Sequence, residues 1–239
     1  MDPPPPETAK GFTVLPLGDA ALTVEFGCEI APHLNERALG FAQAVRAQQW
    51  EGVLDIVPAY ASVSIHVDPV QLPISTLSER LHVLSYIYYD VGASVAGQKH
   101  RIPVLYGGEW GPDLQDIAAF ARLSLADTIR LHHDNLYRVY MLGFSPGFPY
   151  MGLVPASIAM PRLATPRTVV PAGSVGIAES QTGVYPTATP GGWRIIGRTP
   201  VSLYQPGSSR PFLFSPGDTV QFYPIDADEF ARMSYAAPT

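Results

Sequence analysis

The first part of the chain alternates short apolar runs with stretches of helical spacing. Apolar runs at residues 12–17 and 21–27 flank Gly18 and Asp19, a pair typical of a hairpin turn. Pro32 then opens a stretch in which apolar residues recur at the spacing of one helix face. The pattern predicts two antiparallel strands followed by a helix.

The same order of elements then repeats. Strands are predicted at 53–58 and 61–67, and alternate polar positions in the second of them indicate one exposed face. Thr76 and Glu79 have the spacing of a capping box and predict the start of a second helix. The resulting ββαββα order predicts a small α+β sandwich over residues 11–90.

Short strands dominate the second part. Residues 91–99 are small and contain glycine, which is typical of a linker, whereas the proline-rich residues 1–10 indicate a disordered start. Two short helices are predicted, the second with a cap formed by Ser124 and Asp127. Strands are predicted at 101–106, 137–144, 168–179, 192–199, 201–204 and 218–225, with helices at about 113–122 and 124–133. Short strands separated by proline and glycine predict a mainly β, closed or nearly closed barrel over residues 100–239.

Composition narrows the class of protein. The 239 residues are 46% hydrophobic and 15% charged, and the N-terminus lacks the apolar region of a signal peptide. Cys28 is the only cysteine, so no intramolecular disulfide is possible and a reducing compartment is expected. The net charge of −6 argues against nucleic acid as a partner. We therefore predict a cytoplasmic protein with neither a membrane nor a nucleic acid as partner.

Arginine is concentrated in the barrel region. Between residues 135 and 217 the chain has six arginines and no lysine, with Glu179 as the only acidic residue. Arginine without lysine suits bidentate recognition of a carboxylate or phosphate. The alternative is that these arginines are solvated or bond backbone carbonyls in loops, and the charge pattern leaves both interpretations open.

Several kinds of site are excluded by simple chemistry. The segment 143–147 fits G-x-S-x-G, but Pro146 has no N–H to donate as an oxyanion-hole group, and no histidine follows His133. His132 and His133 are adjacent on a helix, so they point about 100° apart and cannot bind one ion together. No phosphate-binding glycine loop is present. The sequence predicts no metal site and no self-sufficient ATP or dinucleotide site.

Three segments combine proline and glycine with aromatic or arginine side chains. They are residues 143–152, 161–174 and 185–200. Such segments hold side chains at low entropic cost, and arginines with glycine amides would suit an anionic ligand. The same composition is equally typical of barrel corners, where glycine and proline serve only the backbone.

Four blocks of sequence resemble the family of 5-oxoprolinase B subunits, also called allophanate hydrolase subunit 1, which includes the kinase inhibitor KipI. The blocks are G-G-E-W-G-P-D-L at 107–114, G-F-S-P-G-F-P-Y-M-G at 143–152, P-R-L-A-T-P-R-T-V-V-P-A-G-S-V-G-I-A at 161–178 and Y-P-T-A-T-P-G-G-W-R-I-I-G-R-T-P at 185–200. The resemblance spans about residues 10–226. It implies a cyclophilin-like barrel for roughly residues 98–239, and Leu105 departs from it where cysteine is common.

The resemblance also implies a function and partners. Family members act with a companion C subunit, which is barrel-like too. An A subunit is added in a complex that hydrolyses 5-oxoproline to glutamate at the expense of ATP. ATP with Mg²⁺ is therefore expected at the level of the complex and not on this chain alone. Relatives form part of the carboxyltransferase domain of urea carboxylase.

The matching blocks suggest the residues of a site. The expected catalytic residues are His132, Arg167 and Arg198. Trp193 and Phe148 are expected to form apolar walls, and Arg194 is expected to add a further donor. The expected substrate-binding residues are Phe148, Pro149, Ser174, Tyr185, Gly191, Gly192, Trp193 and Arg194.

Two alternatives to a hydrolase subunit stay open. One is a regulatory protein that inhibits a histidine kinase, in which the barrel surface would carry the function. The other is a carboxyltransferase component of a urea carboxylase or allophanate hydrolase system.

Overall fold

The computed structural model describes residues 11–89 and 97–236. The chain divides between residues 96 and 97 into two compact units. The predicted disordered start at 1–10 lies outside the described residues, as does the predicted linker up to residue 96. The last three linker positions are described, and Lys99 already begins a strand.

The first unit has the predicted order of elements. They are β1 (Thr13–Pro16), β2 (Ala21–Glu25), α1 (Pro32–Ala47), β3 (Val53–Pro58), β4 (Ser62–Val67) and α2 (Ile74–Tyr89). The strands form an antiparallel sheet in the order β1-β2-β4-β3. Val63, Ile65 and Val67 of β4 are buried against the helices, which explains the alternation in the sequence. The capping-box prediction was wrong, because α2 begins at Ile74 and Thr76 lies inside its first turn.

The second unit is a closed barrel with helices, and it confirms the predicted fold class. Its elements are β5 (Lys99–Tyr106), α3 (Leu114–Ala121), α4 (Leu125–His133), β6 (Leu136–Leu142), β7 (Pro149–Gly152), β8 (Arg167–Val170), β9 (Ser174–Ala178), β10 (Gln181–Val184), β11 (Thr189–Gly191), β12 (Arg194–Arg198), β13 (Thr219–Pro224) and α5 (Ala227–Ala236). Seven strands close the barrel in the order β10-β7-β6-β13-β5-β12-β9. Strands β8 and β11 form a separate two-stranded sheet.

The structure corrects several strand boundaries. The run predicted as one strand at 168–179 is two strands, because Pro171 has no N–H for a ladder and Gly173 turns the chain at a φ of +80°. The segment 201–204 is not a strand, and only Tyr204 makes a single bridge, to Phe212. Strands β7, β10 and β11 and helix α5 were not predicted; the three strands are short and contain proline or glycine. The Ser124 cap is confirmed, since its hydroxyl oxygen accepts the Asp127 backbone N–H at 3.0 Å.

A histidine crosses the interior of the barrel. His132, at the end of α4, bonds Tyr106 of β5 at 2.8 Å and Thr182 of β10 at 3.0 Å. These strands are not neighbours in the closed order, so the imidazole spans the space between them. Its ring stacks on Phe222 of β13 with centroids 4.8 Å apart.

The hydrogen bonds of His132 fix its tautomer. The Thr182 hydroxyl donates to the Gly176 carbonyl at 3.0 Å, so its oxygen accepts the His132 Nε2–H. His132 Nδ1 then accepts the Tyr106 hydroxyl hydrogen. Both ring nitrogens are satisfied in the neutral form, and burial lowers the pKa of His132 to about 3, with a smaller contribution from His133. The imidazole is held as a neutral group of the core.

We expect the buried neutral His132 to make stability depend on pH. Below pH 6.5 the unfolded chain binds a proton that the folded chain does not, until the pH reaches about 3. The free energy of unfolding should therefore fall as the pH drops from 6.5, by up to about 1.4 kcal/mol per pH unit from this group. The free energy of unfolding, measured with urea at several pH values, should fall less steeply with decreasing pH in His132→Gln than in the matched control His133→Gln. An equal pH dependence of the free energy of unfolding in the two variants would contradict a buried, neutral His132.

Gly111 is required by a close approach of two backbone segments. A Cβ at this position would overlap the carbonyl group of Ile196 and lie 2.7 Å from the Gly107 nitrogen. The Gly107 N–H donates to that same carbonyl at 3.0 Å. The turn before α3 therefore lies directly on β12.

We expect Gly111→Ala to destabilise the barrel unit by about 1–3 kcal/mol, because the added methyl group must push these two segments apart. Gly192→Ala is the control, since its Cβ would meet no atom closer than 3.6 Å. Urea midpoints measure the difference between the two variants. A Gly111→Ala midpoint equal to that of the control would show that the backbone contact is not tight.

Candidate functional site

Two of the proline- and glycine-containing segments meet the turn before α3 around a cleft of about 340 Å³. We call it the first cleft, and its lining includes Glu109, Trp110, Arg167, Pro171, Ser174 and Arg198. The structure thus brings together three of the predicted site residues, Arg167, Ser174 and Arg198. They come from the ends of β8, β9 and β12, which the Pro171–Gly173 turn and the β9–β12 pairing hold side by side.

Arg198 has donors that the described part of the protein does not use. Its Nε donates to the Ala172 carbonyl at 2.7 Å, and its guanidinium carbon lies 5.3 Å from the centroid of the Trp110 ring. Within the residues that the structure describes, neither terminal nitrogen has a hydrogen bond and no carboxylate pairs with the side chain. Burial lowers the pKa of Arg198. The site therefore contains a partly desolvated cation to which no described residue supplies an anion.

Arg167, in contrast, is compensated. Its Nη2 donates to Asp113 Oδ1 at 2.7 Å, and the side chain of Asp113 is only 6% exposed. Asp113 Oδ2 accepts the Ile195 backbone N–H at 2.6 Å, and the Asp113 N–H donates to the Ile195 carbonyl at 2.9 Å. Arg167 therefore lines the first cleft as one half of an ion pair, and Asp113 orients it.

Arg194 is directed elsewhere. Its Nε donates to the Pro161 carbonyl at 3.2 Å and its Nη1 to Asp116 at 3.1 Å. It does not line the first cleft, so the structure does not bring it together with Arg167 and Arg198. Its role as a substrate donor stays a prediction.

The predicted aromatic walls lie in a buried cluster behind the cleft. Phe148 and Trp193 are 1% and 6% exposed, and their ring centroids are 5.3 Å apart in an edge-on arrangement. Tyr185 packs on Phe148 at 5.1 Å, and burial raises the pKa of its hydroxyl. None of these three side chains lines the first cleft. Their position supports the two flanking segments, and their contact with a ligand stays a prediction.

The remaining predicted residues surround this cluster. Pro149 is buried at the start of β7. Gly191 leaves room for the Tyr185 hydroxyl, which a Cβ would overlap, and the Gly192 carbonyl accepts the Leu163 N–H at 2.8 Å. His132 lies in the barrel interior and not in the cleft, so its catalytic role likewise stays a prediction.

Trp110 is one of the site residues that sequence reasoning missed, together with Glu109 and Asp113. It stands in the 107–114 block that carries part of the resemblance, and that block is the signal that could have found it. Its indole also lines a neighbouring cleft of about 310 Å³, which we call the second cleft. The lining of the second cleft includes Trp110, Gly173, Arg198, Ser202, Phe230 and Ser234. Trp110 and Arg198 therefore belong to both clefts.

The described residues hold no cluster of metal ligands. Residues 11–89 and 97–236 contain no group of three or more acidic, histidine or cysteine side chains that could hold a metal ion. Within the same residues, no helix is long and apolar enough to cross a membrane.

Known proteins with similar sequences identify the family. The carboxyltransferase domain, subdomain C and D, matches residues 12–214. The 5-oxoprolinase B subunit of Bacillus subtilis (strain 168) is 38% identical over 233 residues, which cover 92% of this chain and 95% of that protein.

Solved structures agree with this match. The crystal structure of TTHA0988 is 38% identical with a TM-score of 0.76, and it matches 87% of this chain but only 40% of its own longer chain. The urea carboxylase of Kluyveromyces lactis, 20% identical, has the same fold with a TM-score of 0.76 over 92% of this chain and 22% of its own. The chain therefore belongs to the family of 5-oxoprolinase B subunits and carries the carboxyltransferase domain, subdomain C and D.

Proposed function

We propose that this chain is the B subunit of an ATP-dependent 5-oxoprolinase and that its first cleft holds the carboxylate of 5-oxoproline. The relatives that it matches over nearly their full length are named as B subunits of 5-oxoprolinase. The observation that carries the assignment to this cleft is Arg198, a partly buried cation whose two terminal nitrogens bond no described residue. A carboxylate supplies the charge and the bidentate acceptor that the guanidinium lacks.

The lining of the first cleft suits the rest of the substrate. The Trp110 indole offers a flat apolar wall for a five-membered lactam ring, and the Ser174 hydroxyl lies in the same lining. Arg167 adds a second guanidinium, but its pairing with Asp113 makes it a fixed dipole and not a free cation.

Hydrolysis of the lactam breaks its C–N bond and adds water, which leaves a second carboxylate and a free amine. Glu109 lines the first cleft and is exposed, so this chain offers a carboxylate there for proton transfer. The buried and hydrogen-bonded His132 has no such access. ATP with Mg²⁺, bound elsewhere in the complex, would supply the free energy for ring opening.

The companion subunits are part of this proposal. The letter B in the name of the relatives implies further subunits, and we propose a C subunit and an A subunit as partners. In TTHA0988 the matching region is 40% of a longer chain, so this fold exists joined to further sequence. The shared fold with urea carboxylase favours a carboxyltransferase component as the second candidate function. The kinase-inhibitor alternative stays a prediction.

The first test of the proposed function is reconstitution. Release of glutamate from 5-oxoproline should require ATP, this chain and its companion subunits, and should vanish when this chain is omitted. Enzymatic detection of glutamate measures the release, and circular dichroism verifies that each subunit is folded. Absence of activity from all combinations of folded subunits would favour the carboxyltransferase or kinase-inhibitor function.

The second test concerns Arg198. Arg198→Lys keeps the charge but removes the fork, so kcat/KM of the reconstituted enzyme should fall about tenfold to a hundredfold, as expected for lost charge-assisted hydrogen bonds. Arg210→Lys, the same change at an exposed arginine outside both clefts, should leave kcat/KM unchanged. Equal kcat/KM values for the two variants would contradict binding of the substrate carboxylate by Arg198.

A further inference from the structure

The two clefts share one wall. Trp110 and Arg198 line both of them, and the turn between β8 and β9 contributes to each. Pro171 of this turn and Ser174, the first residue of β9, line the first cleft, whereas Gly173 lines the second. The clefts are therefore adjacent compartments that meet at one arginine.

Arg198 has enough donors for two anionic groups. Its Nε is occupied by the Ala172 carbonyl, which leaves four N–H groups on the two terminal nitrogens. A planar guanidinium presents these donors along different edges, so one arginine can bond two carboxylates. Arg167, the other guanidinium of the first cleft, is already neutralised by Asp113. Both anionic groups would therefore depend on Arg198.

The second cleft suits the charged end of a short flexible chain. Its floor is apolar, since Trp110 packs on Phe230 of α5 with ring centroids 5.0 Å apart. Ser202 and Ser234 also line it, but their hydroxyl groups already donate to the Tyr204 and Phe230 carbonyls at 3.1 and 2.9 Å, so Arg198 supplies the charge for a carboxylate. The lining contains no acidic side chain among the described residues, so none of them repels a carboxylate there.

The first cleft adds a complementary charge. Glu109 is exposed in its lining, and a carboxylate there attracts an ammonium group. A lactam nitrogen carries no positive charge, but the amine released by ring opening does. Glu109 therefore distinguishes the ring-opened compound from the lactam.

We propose that the two clefts form one site, the bipartite site, for a short amino dicarboxylate. A carboxylate lies in each cleft, with Arg198 between them and the ammonium beside Glu109. The inference rests on the proposed function, because opening of the 5-oxoproline ring yields this class of compound. The closed lactam has one carboxylate and occupies the first cleft only. Stronger contacts with the opened form shift the equilibrium between the two bound compounds towards the opened one, and they also make the product an inhibitor.

The test compares three ligands on the full-length chain by isothermal titration calorimetry. L-Glutamate and L-glutamine have the same shape, but glutamine has a neutral amide in place of one carboxylate. We expect glutamate to bind about tenfold more tightly than glutamine and than 5-oxoproline. Equal affinity for glutamate and glutamine would overturn the proposal.

A variant with a new charge in the second cleft tests the contribution of that cleft separately. Ser202→Asp places a negative charge in its lining and should lower the affinity for glutamate about tenfold more than the affinity for 5-oxoproline, whose single carboxylate lies in the first cleft. Ser209→Asp makes the same change at an exposed serine outside both clefts and should alter neither affinity. An unchanged glutamate affinity in Ser202→Asp would place the second carboxylate elsewhere and overturn the bipartite site.

The outcomes distinguish this inference from the proposed function. If 5-oxoproline binds through Arg198 without any preference for glutamate, the proposed function stands and the bipartite site fails. If neither compound binds the folded chain, the bipartite site on this chain is also overturned, and the reconstituted activity then decides the function separately.

Discussion

The carboxylate of Asp113 holds together the part of the barrel on which the site depends. One oxygen accepts a hydrogen bond from Arg167 on β8 and the other accepts the Ile195 N–H on β12, while the Asp113 backbone pairs with Ile195 as well. A buried carboxylate is costly unless it is paired and fully hydrogen-bonded, and here both conditions are met. The start of α3, the separate two-stranded sheet and the barrel wall are thereby fixed to one another.

This constraint determines which arginine is available to a ligand. Arg167 gives its charge to Asp113, and Arg194 gives its own to Asp116 outside the first cleft. Among the described residues, Arg198 bonds only a backbone carbonyl and stacks on Trp110, so none of them compensates its charge. Three arginines that look equivalent along the chain therefore differ, because Arg167 and Arg194 are paired with aspartates whereas no described carboxylate pairs with Arg198.

The barrel interior meets a different requirement. His132 is neutral there because each of its ring nitrogens has a partner and because burial disfavours the charged form. Phe148, Tyr185 and Trp193 similarly fill the space behind the proline- and glycine-containing segments. These four side chains are thus buried, whereas Arg198 lines both clefts. Some side chains of these segments are therefore packed in the interior, whereas others line the two clefts.

The sequence by itself determined the ββαββα order, the barrel class and the family, because apolar periodicity and the glycine–proline blocks are local properties. It also predicted Arg167, Ser174 and Arg198 as site residues, and the structure brings these three to one cleft. Only the tertiary structure decided that Arg167 is paired, that Trp193 is buried and that Trp110 lines both clefts. The physical reason is that pairing joins distant positions: Asp113 bonds residues 54 and 82 positions away, and a Trp side chain suits a core as well as a cleft. Whether a residue is paired, buried or part of a cleft depends on neighbours that local sequence does not specify.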